Sequence, residues 1–144
     1  MPLMHSHTLD AENRGTTAHA LASGSWIVAC LCAGWCGTCG SYRAAFEELA
    51  ARHPDKHFVW IDIEDQADVV GDLDVDNFPT LLIQRGDVVA FFGTVLPDAV
   101  LAQRLLLSQT TQTDEELARQ AQAGEERRLW QRECNLGALL RAAG

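Results

Sequence analysis

Four cysteines fall within ten residues of this chain, Cys30, Cys32, Cys36 and Cys39, and the pattern around them changes between the second and the third. Before the change lies an uncharged apolar run, Trp26 to Ala33 (WIVACLCA), which suits a fully buried strand and is ended by Gly34. After it, Tyr42, Ala45, Phe46, Leu49 and Ala50 recur every three or four residues, with Arg43, Glu47, Glu48 and Arg52 on other faces, so the period predicts a helix from Thr38 to Arg52. Trp35-Cys36-Gly37-Thr38-Cys39 therefore stands at a strand-to-helix junction. Unpaired backbone N–H groups and the helix dipole stabilise a thiolate there. Cys36, at or just before the helix start, is the exposed nucleophile of this reading. Cys39, three residues on and nearly on the same face, is the more buried, resolving thiol that closes a small disulfide ring. A bare C-x-x-C serves metal and redox chemistry about equally; at such a junction inside a βαβ unit it points to redox.

The rest of the chain supplies that unit. Pro54 and Asp55 break the helix, and Phe58 to Ile63 (FVWIDI) predicts a second buried strand. Ala67 to Leu73 predicts a short helix. Thr80 to Gln84 and Val88 to Phe92 flank Arg85-Gly86-Asp87 as a hairpin, and Pro97 with Asp98 opens a helix to about Leu107 with proline in its first turn. The fold class is α/β: a mixed sheet flanked by helices, parallel where a crossover helix joins two strands and antiparallel at the hairpin. Three regions follow: residues 1–24 with a short helix or strand, a domain over 25–107, and a polar linker with a helical extension over 108–144. In the extension, Thr113 or Asp114 caps a helix from Glu115 to Arg132, weakened at Gly124. Its thin stripe of Leu117, Ala121, Leu129 and Trp130 needs a surface to bury it. That surface is the chain's own domain, a second copy in a homodimer, or a client.

Composition narrows the function. An excess of 20 Asp and Glu over 11 Lys and Arg gives a formal charge of −9, which repels phosphate backbones and argues against nucleic acid. No apolar run approaches the roughly 18 residues a membrane helix needs. The first 24 residues lack a basic start followed by an apolar stretch, which argues against a secretion signal and for the cytoplasm, where thiols are kept reduced. An odd number of cysteines, five, clustered and not spread, is unlike a secreted disulfide scaffold.

The chain resembles the thioredoxin family over residues 25 to 107. The resemblance rests on the Trp26 strand, Trp35-Cys36-Gly37-Thr38-Cys39, the helix after it, the FVWIDIED segment, Phe78-Pro79-Thr80, the hairpin, Gly93 and the final helix, all in order. It implies that Pro79 is cis and lies against the dithiol, that Phe78 offers backbone hydrogen bonds to a bound substrate chain, and that Trp35 shields the thiols. It also implies thiol–disulfide oxidoreductase activity on protein disulfides through a mixed disulfide, electron transport toward cell redox homeostasis, a reductase or dithiol donor as the regenerating partner, and neither an organic cofactor nor a metal. Gly37 and Thr38 stand where the family usually has Gly-Pro. Cys30 replaces a buried Asp thought to assist proton transfer, Trp60 an accompanying Lys, and Ala44 a kinking Pro. The alternative is a thioredoxin-fold binding module whose extension docks a client, with redox activity incidental.

Other features have plainer readings beside sharper ones. Cys30 and Cys32 share one strand face and are read as small buried residues; the sharper alternatives are a second redox pair or a four-cysteine metal site. Cys134 is read as a spare thiol. The five histidines, His5, His7, His19, His53 and His57, follow no metal-ligand spacing. Asp62, Glu64, Asp65, Asp68, Asp72, Asp74 and Asp76 lack the glycine and terminal Glu of a calcium loop and read as a solvated face. Arg85-Gly86-Asp87 is turn chemistry.

Overall fold

β2 (Trp26–Cys32) is buried on both faces because nearly every residue in it is apolar. α2 (Gly37–Arg52) carries the chain back to β3 (His57–Asp62), which pairs parallel with β2 so that Cys30 stands opposite Trp60. In the computed structural model, residues 6–33, 37–71, 73, 75, 78–95 and 98–143 are described. β1 (Ser6–Thr8) pairs parallel with the far side of β3, and α1 (Arg14–Ala22) leads from it into β2. After the short α3 (Ala67–Val70), β4 (Thr80–Arg85) pairs antiparallel with β2, and β5 (Val88–Thr94) pairs antiparallel with β4. The hairpin turns at Gly86, whose φ of 56° lies in the region that L side chains rarely adopt. The result is the expected mixed sheet, five strands in the order β1-β3-β2-β4-β5.

Alternation along β2 divides the core. Ile27, Ala29 and Leu31 join one apolar cluster, with Leu21 of α1, Val69 and Val70 of α3, and Trp130, Leu136 and Leu140 from the C-terminal helices. Val28, Cys30 and Cys32 join the other, with Cys39, Tyr42, Phe46 and Leu49 of α2, Leu106 of α4 (Ala99–Thr110) and Leu117 of α5 (Asp114–Ala121). Cys30, Cys32 and Cys39, the described cysteines of the N-terminal half, therefore belong to the α2 side.

The C-terminal part departs from the sequence expectation in three ways. Asp98 is the N-cap of α4, its side chain accepting from Val100 N and Leu101 N, so Pro97 precedes the cap in sequence instead of standing in the first turn; Pro97 itself lies outside the described residues. α4 runs on to Thr110, so the first half of the expected polar linker, Ser108 to Thr110, is helix. Ser108 and Thr111 donate back to the carbonyls of Leu105 and Leu107, so these polar side chains serve the helix end. The single long helix is divided into α5 and α6 (Glu125–Glu133), with Gly124 as the N-cap of the second, and α7 (Leu136–Ala143) follows. Thr113 is the cap of α5, in a reciprocal pair with Glu116.

These helices wrap the β5 edge. Leu117 buries against the α2 side of the sheet, and Trp130 buries on the opposite side, edge-to-face with Phe91 of β5 at 5.8 Å. Leu129, expected in the same stripe, stays 39% exposed. The Gln131 side-chain amide accepts from Val89 N and donates to Val89 O, both at 2.8 Å, and so satisfies backbone groups of the edge strand. Asn135 and the fully buried Gln84 of β4 bind each other at 2.8 Å. Gln84 Oε1 also accepts from Leu136 N, and Asn135 Nδ2 donates to Asp87 of the hairpin turn. No described helix is long and apolar enough to cross a membrane.

Candidate functional site

The site is assembled where β2 ends and α2 begins. Cys32 is the last residue of β2, and α2 starts at Gly37, which puts Cys39 in its first turn. Trp35 and Cys36, which carry the shielding and nucleophile roles of the sequence reading, lie outside the described residues. Gly37 and Thr38 are exposed on the first turn, while Cys39 is buried.

Cys39 is bonded to Cys32. Their Cα atoms are 5.8 Å apart, within the range disulfides ordinarily span. The reading of Cys32 as an inert small residue is therefore corrected. Parity was the available signal: residues 28, 30 and 32 share the face against which α2 packs, and the first turn of α2 returns over the strand end. Cys30 is free, and its thiol lies 3.8 Å from Cys32 Sγ, near enough to donate to it. As expected of neighbours on one strand face, these two are not joined. Burial pushes the Cys30 thiol far above its ordinary range, with the positive charge of Arg43 opposing. In this state Cys32 and Cys39 have no thiolate to give a metal, which disfavours the four-cysteine centre.

The surroundings are apolar, with one cation. Trp60, in the position that the resemblance gives to a Lys, pairs across from Cys30, and the Arg43 guanidinium lies 4.5 Å from its ring centroid. A positive charge thus reaches this pocket from α2 instead of from β3. The Tyr42 hydroxyl is buried in the same cluster with no hydrogen-bond partner among the described residues, and burial pushes its pKa up. Phe78 packs against the cluster, and the Phe78–Pro79 peptide bond is cis, the isomer that the resemblance implied. Pro79 O accepts from Val95 N, which ties the start of β4 to the end of β5.

The remaining candidates lie elsewhere. His53 is buried beside Phe58 with its Nε2 2.8 Å from Gln103 Oε1, a satisfied core histidine. Cys134 is buried in the opposite cluster, and burial with the nearby Glu133 raises its thiol to about 12. Asp62 accepts from the N–H groups of Glu64 and Asp65, and Asp68 pairs with Arg14 at 2.8 Å. Asp72, Asp74 and Asp76 lie outside the described residues.

The thioredoxin family model matches residues 11–105, reaching back through α1. The chain belongs to the thioredoxin family. It is 33% identical over 81 residues to the H-type thioredoxin of Brassica campestris, a match covering 56% of this chain and 65% of that protein. The chain thus spans a little under two thirds of that relative. A mutant thioredoxin of Halobacterium salinarum superposes with a TM-score of 0.63 at 18% identity, covering 78% of this chain and 98% of that one. Thioredoxin f2, solved in complex with ferredoxin:thioredoxin reductase, gives 0.62 at 17% identity, covering 73% and 96%. Family membership supports a thiol–disulfide oxidoreductase role in general, and the two structures establish the fold.

Proposed function

We propose that this protein exchanges electrons between a Cys36–Cys39 dithiol and protein disulfides. The observation that carries the reading is the start of α2 at Gly37, immediately after Cys36 in sequence, with Cys39 in the first turn. The Cys36 thiolate attacks one sulfur of a client disulfide and releases the other client sulfur as a thiol. Cys39 then attacks Cys36 in the mixed disulfide, releases the reduced client and leaves a Cys36–Cys39 bond. Two electrons pass to the client, and a reductase or a small dithiol returns them. The reductase complex of thioredoxin f2, a protein of the same fold, supports a partner of that kind. Trp35, Phe78 and Pro79 form the client groove in this reading, with residues 25–107 carrying the exchange. We place the activity in the reducing cytoplasm, which the clustered cysteines support.

The client-docking module, and a homodimer through the C-terminal helices, would need an apolar face there. Leu117 and Trp130 are buried on the chain's own sheet, so that among the described residues of α5 to α7 Leu129 is the exposed large apolar side chain, which favours the redox reading. The test uses a disulfide-bonded model protein such as insulin. The Cys39→Ser variant should hold it as a mixed disulfide released by dithiothreitol, and Cys36→Ser should form no such adduct at that position. Equal adducts in both variants, or none in Cys39→Ser, would overturn the assignment.

A further inference from the structure

Cys39 is bonded to Cys32, and Cys36 stands three residues before it in sequence, the spacing of the proposed exchanging pair. The Cys32 bond is closed inside an apolar cluster in which Cys32 and Cys39 are 1% and 2% exposed. We propose that Cys32 is a third exchanging cysteine and that the active-site disulfide isomerises between Cys36–Cys39 and Cys32–Cys39. This inference rests on the reading of Cys36 and Cys39 as the exchanging pair.

The step balances within the chain. The Cys32 thiol gives up its proton and attacks Cys39 Sγ; the Cys32–Cys39 bond forms as the Cys36–Cys39 bond breaks, and the electron pair leaves on Cys36. One disulfide is made and one consumed, so no oxidant is required, and the proton goes to solvent or to Cys36. Thiolate leaving groups of low pKa depart fastest, and a helix N-terminus stabilises the charge left there. Isomerisation therefore leaves the lone sulfur on Cys36, the residue before α2 in sequence, and places the bond in the apolar interior, where a charged sulfur is least favoured. Cys30, which is free, lies 3.8 Å from Cys32 Sγ, near enough to donate to it as it departs in the reverse step.

Each isomer leaves a different cysteine free. With Cys36–Cys39 closed, the site awaits a reductant. With Cys32–Cys39 closed, Cys36 is a single thiol that captures a client disulfide and has no resolving partner until the inner bond is reduced. The switch would thus alternate between turnover and holding.

Chymotryptic cleavage after Trp35 separates Cys30 and Cys32 from Cys36 and Cys39, so the two isomers give different peptides. Full-length protein is oxidised with oxidised glutathione, quenched in acid, alkylated and mapped by mass spectrometry. A dithiothreitol-sensitive cross-link between the two peptides is expected in wild type. It should persist in Cys30→Ala, become the dominant species in Cys36→Ser with Cys30 and Cys134 as the free thiols, and vanish in Cys32→Ala. Oxidised Cys36→Ser protein that shows alkylated Cys32 with glutathione on Cys39 would overturn the inference, as would wild type with only the internal Cys36–Cys39 loop. Insulin reduction by the same proteins reads the dithiol assignment separately: turnover by Cys36→Ser equal to wild type would sink that assignment whatever the cross-link shows.

Discussion

Replacing Gln84 with Leu should cost much of the stability of this fold without touching the cysteines. Gln84 is fully buried and makes three hydrogen bonds: to Gly86 O at 3.0 Å, to Asn135 Oδ1 at 2.8 Å, and from Leu136 N at 2.8 Å. In Gln84→Leu the buried Leu136 N–H loses its acceptor, at a cost of about 1–3 kcal/mol, and the lost Asn135 contact adds about 1 kcal/mol. Asn135 Oδ1 keeps the Ala138 N–H at 3.2 Å, and Gly86 sits in a surface turn where water can replace the amide, so neither adds a full penalty. The sum is about 2–4 kcal/mol. With a urea slope of about 2 kcal/mol per molar, the unfolding midpoint falls by about 1–2 M. Circular dichroism against urea reads this directly, and the Asn135→Ala cycle should show a coupling of about 1 kcal/mol. A midpoint shift below about 0.3 M, or strictly additive single effects, would refute the idea that Gln84 and Asn135 clamp α7 to the hairpin.

The remaining predictions concern the extension, the thiols and pH. Trp130→Ala should destabilise by about 3–5 kcal/mol, the usual cost of emptying a buried aromatic site, with sedimentation unchanged and monomeric; unchanged stability would mean that α6 does not hold the fold. In the reduced protein, iodoacetamide near neutral pH should label Cys36 at least about tenfold faster than Cys30 or Cys134, because burial raises both of those thiols, Cys134 to about 12. Equal rates would remove the helix-terminus argument. Burial, and then the charge of His57, hold His7 below 6.5, with Asp10 opposing, so the folded chain binds fewer protons there than the unfolded one. Stability from this group is complete above 6.5 and is lost as pH falls through the lowered value, so His7→Gln should flatten the urea midpoint between about pH 7.5 and 5. A slope as steep in the variant as in wild type would place the linkage elsewhere.

Local pattern was enough for the four strands from Trp26 onward and for α2, whereas the first 24 residues, read as holding a short helix or strand, form both β1 and α1. The uncharged run at Trp26, the period after Thr38 and the Gly86 turn are each written in neighbouring residues, and the structure follows them. What the sequence concealed depends on residues far apart. α7 is eight residues, too short to stand alone, and its start depends on Asn135 and on Gln84, which lies 52 positions before Leu136. The Cys32–Cys39 bond needed the strand face and the return of α2 together, whereas spacing displayed only Cys36-x-x-Cys39. Residues 108–113 read as linker because Ser and Thr are weak helix formers; α4 nonetheless takes in Ser108 to Thr110, and Ser108 and Thr111 donate back to carbonyls near its end.

Gln131 gives the extension a meaning opposite to the one its amphipathic stripe suggested. Its amide occupies the N–H and C=O of Val89, the groups through which a foreign strand would add to β5. The C-terminal helices are thus a guard against self-association through that margin of the sheet. Cutting the chain before residue 108 would bare the outer line of β5 together with Phe91. The shortened protein should then gain multimers and turbidity relative to the full chain at the same concentration, so a capture experiment on it would collect copies of itself before any client.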